Sequence, residues 1–280
     1  MTLSKPRIDS HQHFWRYHPT HHSWMTSEME ILKRDYFPEE LLPLLRSANL
    51  DGCVAVQASQ TEEENIFLLS LAAQHDFIKG IVGWVDLQSD KLAERLAYYK
   101  KFEKLKGFRH IIQDEVDIDF MLHPNFLRGV GQLRSFGYTY DILIYPMHLP
   151  NAITFVNQFP EQLFVVDHLA KPCIRDRKME PWKDDLKKLA RHKNVFCKIS
   201  GMVTEANWTQ WAKGDFIPYM DSVVDSFGFD RIMFGSDWPV CTVASSYTEM
   251  YEVVFGYFSQ FSVSEQDKFY GQNASRFYNL

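Results

Sequence analysis

The stretch IDSHQHFW, Ile8–Trp15, places two histidines one residue apart at the end of a short run, and its meaning depends on whether that run is a β-strand. Seven more runs rich in β-branched and aromatic residues follow it. With the first, RIDSHQHF (7–14), they are GCVAVQAS (52–59), KGIVGWVDL (79–87), LKGFRHII (105–112), YTYDILIY (138–145), LFVVDHLA (163–170), VFCKISGM (195–202) and RIMFGSDW (231–238). Their apolar stretches are too short for core helices and lack a clean polar alternation, as expected for parallel strands buried on both faces. Segments with a helical period separate them: 38–50, 62–75, 90–104, 124–136, 150–159, 181–193, 218–227 and 246–258. Several carry Pro or acidic residues at the start and lysines at the end, which favours capping and suits the helix dipole.

Strand and helix thus alternate eight times in 280 residues, with no linker-like composition between them. That pattern predicts an α/β fold, a single (β/α)8 TIM barrel spanning residues 1–280, better than an open sheet. The longest gap, 18–37, is polar and aromatic and reads as a loop at the C-terminal end of the first strand, where barrel active sites are built. The last segment, 264–280, reads as a closing helix that packs Phe269, Phe277 and Tyr278 inward.

Composition narrows the class. Hydrophobic residues at 45% and charged residues at 24% are ordinary globular usage. Thirty Lys plus Arg against thirty-six Asp plus Glu give a net charge of −6 with no basic arm, so nucleic acid is not an expected partner. Neither a secretory leader nor a run of ~18 apolar residues is present, which predicts a cytoplasmic protein without a membrane partner. Cys53, Cys173, Cys197 and Cys241 are widely spaced and read as reduced thiols, and the Asn-Ala-Ser at Asn273 as a chance sequon.

Side chains two apart on a strand share a face, so His11 and His13 point together into the barrel. Alone, the pair could equally be two unrelated polar residues. The sixth run adds His168 in VVDHLAKP and the eighth adds Asp237 in FGSDWPV, both at the same expected rim. Either could be structural by itself, a core histidine or a capping carboxylate. Together, neutral imidazoles and one carboxylate suit Zn²⁺ or a similar divalent ion with a position left for water.

Other strand ends offer further candidates. Arg109 and His110 lie on the fourth, followed by Gln113, Asp114 and Glu115. The guanidinium could fork onto a carbonyl or hydroxyl, or form a structural pair with Asp141 or Asp86. Tyr140, Asp141 and Tyr145 lie on the fifth, and Lys198 and Ser200 flank Ile199 on the seventh. A Lys in such a run is costly to bury unless paired or in contact with a ligand. Trp15, Trp24, Trp84 and Trp238 could face a sugar ring or simply pack, and His18, His21 and His22 read as a surface or lid cluster.

HQHF on the first strand, DHLAKP on the sixth and FGSDWPV on the eighth, in that order, resemble the amidohydrolase superfamily over essentially the whole chain. DSHQHFW, GFRHIIQDE (107–115), KISGMVTEANW (198–208) and MFGSDWPV resemble its sugar-acid lactonase branch, that of L-fucono- and L-rhamnono-lactonases. The resemblance implies a distorted (β/α)8 barrel and a hydrolase that opens an aldonolactone by water attack on its carbonyl. For that reaction the expected catalytic residues are Asp237 and His168, and the expected substrate contacts Arg109, Lys198, Tyr140, Asp141 and Trp15. Binuclear relatives carry a bridging Lys or Glu on the fourth strand and a His on the fifth. Here those strands read GFRHII and YDILIY, so one ion at most, zinc by preference, is expected on His11, His13 and Asp237. Some relatives of this branch work without metal, so the ion need not be indispensable. The partner is a small sugar lactone, whose identity the sequence leaves open together with any homo-oligomer. A metal-dependent decarboxylase, another carbonyl hydrolase of the superfamily and a non-catalytic sugar-binding barrel are the alternatives.

Overall fold

The computed structural model describes residues 5–280. Eight strands form one parallel sheet in chain order: β1 (Ile8–Gln12), β2 (Gly52–Val56), β3 (Ile78–Gly83), β4 (Leu105–His110), β5 (Thr139–Ile142), β6 (Phe164–Val166), β7 (Val195–Ile199) and β8 (Ile232–Phe234). Each falls inside or within one residue of an expected run. The helices α1 (Pro38–Ser47), α2 (Glu62–Gln74), α3 (Leu92–Tyr99), α4 (Pro124–Leu133), α5 (Leu149–Asn157), α6 (Trp182–Leu189), α7 (Ile217–Phe227) and α8 (Tyr247–Phe258) fill the gaps. The architecture is the expected (β/α)8 barrel.

Its seam is irregular. Among the described residues no ladder joins β1 to β8; closure runs through the end of β1 and the segment just beyond β8, where His13 N donates to Trp238 O at 2.7 Å and Asp237 N to His11 O at 2.8 Å. Side chains complete it: Asp9 Oδ1 accepts from Ser236 N at 2.9 Å, and Ser10 Oγ donates to Phe234 O at 2.5 Å. The bonds that shut the barrel therefore pass through the residues carrying the first and eighth rim groups.

The closing helix is divided into α9 (Val263–Asp267) and α10 (Asn273–Tyr278) by one π-helical turn, Lys268–Gln272. Phe269, Phe277 and Tyr278 are buried as expected. Phe277 and Tyr278 join Ile8, Val54, Val82 and Val165 in a small apolar cluster separate from the main core, and the Tyr278 hydroxyl donates to Asp141 Oδ2 at 2.7 Å. The first long loop is folded too: Trp15 and Tyr36 exchange backbone hydrogen bonds, and Trp15 Nε1 donates to Arg34 O at 2.8 Å.

Candidate active site

His13, His168 and Asp237 meet at the C-terminal rim, in a cleft of about 440 Å³ with Trp24, Arg109 and Lys171 as further polar or aromatic lining. Ala58, Ile111, Leu143 and Val240 supply apolar wall. The size and the mixture of apolar wall with a few convergent polar groups are those of a small-molecule site.

His13 is oriented by the backbone. Its Nδ1 lies 2.7 Å from Val56 O, and because a carbonyl only accepts, that nitrogen carries the proton. The other ring nitrogen, Nε2, faces Asp237 Oδ1 at 3.3 Å. His11 Nε2 and His168 Nε2 stand 3.9 Å and 3.8 Å from the same oxygen. Burial holds the pKa of both His11 and His168 well below 6.5, so both are neutral near pH 7. For Asp237 burial alone would raise the pKa, but His168 and His13 outweigh it and keep the carboxyl below its ordinary range. The rim thus sets one ionised carboxylate beside the neutral imidazoles of His11 and His168.

One ligand atom each from His11, His13 and Asp237 lie within 4.8 Å of one another, a nitrogen and carboxylate set that fits a divalent ion. His11, Asp167 and His168 form a second such group. His11 Nδ1 lies 3.2 Å from Asp167 Oδ1, and Nε2 accepts from Arg109 Nη1 at 3.3 Å. An ion bound at His11 Nε2 would replace that last contact.

His168 does not lie on a strand, as expected from the sequence, because β6 ends at Val166. It begins four consecutive residues in the left-handed region: His168, Leu169, Ala170 and Lys171, with φ of 54, 56, 58 and 49°. Such backbone costs roughly 1–2 kcal/mol per residue and persists only where the surroundings over-determine it. Leu169 and Ala170 are fully buried, Trp182 Nε1 donates to Leu169 O at 2.6 Å, and Lys171 N to His168 O at 2.6 Å. Gly201 makes room, since a Cβ there would sit 2.6 Å from His168 Nδ1. The result is that His168 and Lys171 both line the cleft, with His168 Nδ1 2.8 Å from Ser200 Oγ.

Arg109 pairs with neither Asp141 nor Asp86. Its partner is Asp167, with Nη1 3.0 Å from Oδ2. Nε and Nη2 donate to Gln57 Oε1 at 3.2 and 2.8 Å, and Nη2 also donates to Gln57 O. With the contact to His11, all five guanidinium N–H groups are committed to protein acceptors. Arg109 lines the cleft as a fixed charge.

Four of the expected substrate contacts, Lys198, Asp141, Tyr140 and Trp15, lie beneath or behind the site. Lys198 and Asp141 are fully buried and bonded to each other at 2.5 Å, with Lys198 Nζ also 3.0 Å from Asp167 Oδ1 and 3.1 Å from His11 Nδ1. Burial wins at Asp141 and raises its pKa, whereas at Asp167 burial is overcome by Lys198, His11 and Arg109, which hold it well below the usual range. Tyr140, next to the inward Asp141, faces the helical layer among Phe126, Phe155 and Phe164. Trp15 is buried against Trp24 and Tyr36 and borders a second cleft with His21, His22 and Glu64. His22 itself is buried and stacked on Tyr17, and His110 is held by Glu115 at 2.7 Å beside Phe120.

Sequence reasoning missed Asp167, Gln57 and Lys171. Asp167 and Lys171 stand in the motif that supplied His168, but only the left-handed turn shows which way each faces.

A barrel whose rim gathers His11, His13, His168 and Asp237 has the layout of a hydrolase centre, and the comparisons agree. The amidohydrolase family profile matches residues 8–280, and the chain belongs to that family. It is 40% identical over 285 residues, 98% of this chain and 96% of the relative, to the L-fucono-1,5-lactonase of Burkholderia multivorans. It is 35% identical over 244 residues, 86% of this chain and 83% of the relative, to the L-fucono-1,5-lactonase of Burkholderia ambifaria. A crystal structure of a Burkholderia multivorans amidohydrolase with bound zinc superposes with a TM-score of 0.95 at 40% identity, covering 98% of this chain and 99% of that one.

Proposed function

We propose that this chain is a lactonase that opens a sugar-acid lactone such as L-fucono- or L-rhamnono-lactone. The observation that carries the reading is Asp237: a buried carboxylate kept ionised at the cleft, beside neutral imidazoles that neither neutralise it nor compete for its proton. The two lactonases at 40% and 35% identity support the substrate class.

In this mechanism a water between Asp237 and the lactone carbonyl gives a proton to the carboxylate as its oxygen adds to the carbon. The tetrahedral intermediate collapses, the bond to the ring oxygen breaks, and that oxygen takes the proton back from Asp237. General-base catalysis of this kind contributes about 10²–10⁴-fold. His168, its Nδ1 accepting from Ser200 Oγ, presents Nε2–H to the carbonyl oxygen. Arg109, tied to Gln57, Asp167 and His11, is a fixed charge in the wall of the cleft, while Lys198, Asp141, Tyr140 and Trp15 support the site from behind. His11, His13 and Asp237 would hold one divalent ion, zinc by preference; when bound it supplies Lewis acidity and a more acidic water. Residues 1–280 act as one domain. Among the described residues no helix is long and apolar enough to cross a membrane, and four unpaired thiols suit the cytoplasm.

The test is a pH-indicator screen of aldonolactones, run with and without chelator and with metal analysis of the purified protein. Acid release is expected from a 6-deoxyaldonolactone, and release from none of a broad panel would refute the reading.

A further inference from the structure

Two cationic side chains, Arg109 and Lys171, line the cleft, and they differ in what they can still bind. Arg109 has spent its five donors on Gln57, Asp167 and His11. Lys171 has spent almost nothing: its ammonium makes no hydrogen bond, lying 3.8 Å from Glu205 Oε1 and 5.3 Å from the centroid of the Tyr145 ring. Among the described residues it is the one cation of the cleft with three N–H donors to offer. It is delivered there by four successive left-handed residues, a conformation with a real energetic cost that a solvent-facing lysine would not require. It lines the same cleft as His168 and Asp237, the groups expected around the reacting carbon.

We propose that Lys171 is a catalytic residue that binds the lactone's carbonyl oxygen as negative charge develops on it, and afterwards the product's carboxylate. The assignment rests on the lactonase reading above. As water adds to the carbonyl carbon and its proton passes to Asp237, the carbonyl π pair moves onto oxygen, and the ammonium donates to that oxyanion. When the pair returns and the ring oxygen leaves with the proton from Asp237, a carboxylic acid remains. It loses its proton to solvent, and the carboxylate stays paired with Lys171 until release. Without this cation, Asp237 would face a new negative charge in a partly enclosed site. Glu205, half-buried with its Oε1 3.8 Å from the ammonium, is a positioning residue that restrains the Lys171 side chain.

The experiment compares wild type, Lys171→Met, Lys171→Arg and Glu205→Gln by lactone kinetics and by calorimetric titration with the aldonate anion, which needs no turnover. Lys171→Met is expected to lower kcat by about 10²–10³-fold, the scale of losing one oxyanion donor, with KM nearly unchanged. Aldonate affinity should fall about tenfold or more, as for loss of a charge-assisted bond. Lys171→Arg should recover much of both, and Glu205→Gln should lose less than Lys171→Met. A Lys171→Met protein that keeps kcat within threefold, raises KM alone, or binds aldonate as wild type does would overturn the proposal. If no lactone is hydrolysed by wild type, the functional reading fails, and the aldonate titration still decides whether Lys171 is the anion-binding group. Should Lys171→Met not fold, Lys171→Gln replaces it in both measurements.

Discussion

His13 Nε2 lies 3.3 Å from Asp237 Oδ1, and the proton of that imidazole is held on its other nitrogen by Val56 O. A divalent ion lying between the two atoms would be held by both. Two predictions follow directly from this pair.

Asp237→Asn removes the base and leaves the shape of the cleft. Turnover should drop by about 10²–10⁴-fold while lactone binding changes little. Initial rates and KM on the best aldonolactone check this, and retention of more than a tenth of the wild-type rate would count against the base assignment.

His13→Ala and Asp237→Asn should each abolish stoichiometric zinc binding, with an affinity loss beyond the ~10–100-fold typical of outer-shell partners. His18→Ala, in the first loop, should leave it intact. Equilibrium dialysis with metal analysis reads the number of ions per chain. One ion is expected for wild type, and an unchanged value for His13→Ala would remove that histidine from the ligand set.

Lys198→Met should destabilise the barrel severely. The ammonium neutralises Asp141 and Asp167 at 2.5 and 3.0 Å in a fully buried site, and stranding buried charge costs about 3–5 kcal/mol. Adding Asp141→Asn should recover part of the loss because it removes one stranded carboxylate. Urea denaturation measures both, and a loss below about 1 kcal/mol would mean that the network contributes little.

Glu64 governs a pH dependence of stability. Its buried carboxyl accepts from Ala58 N, Ser59 N and Ser59 Oγ, but burial outweighs these bonds and pushes its pKa from 4.5 up to about 7. Because the folded value is the higher one, the stability it contributes is complete below pH 4.5 and is lost as pH rises through about 7. The full loss is on the order of 3 kcal/mol. Glu64→Gln should remove that slope, so the difference in unfolding free energy between the two proteins should change across pH 4.5–7 and level off above it. A difference that is flat with pH would show that Glu64 ionises normally.

The eight strands, the helices between them and the rim histidines were legible in the sequence because each depends on local period: apolar runs of strand length, helical spacing, and the i, i+2 alternation that turns His11 and His13 to one side. Asp237 was legible for a related reason, since FGSDWPV lies at the end of the last run. What period could not convey was depth. Lys198 and Asp141 face inward, as alternation allows, yet they sit below the cleft and satisfy one another, which depends on how strands far apart in sequence are staggered around the barrel. Tyr140 was misassigned by one position of that same alternation.

Arg109 shows the remaining gap most clearly. The sequence by itself determined that a guanidinium would stand at the end of the fourth strand, but not that Gln57, Asp167 and His11 would consume its donors, because those partners come from three other strand ends. Nor could it determine the left-handed turn from His168 to Lys171, which no residue there prefers. That conformation is held by Trp182 and by the space over Gly201, so tertiary packing alone decided that Lys171 meets the cleft.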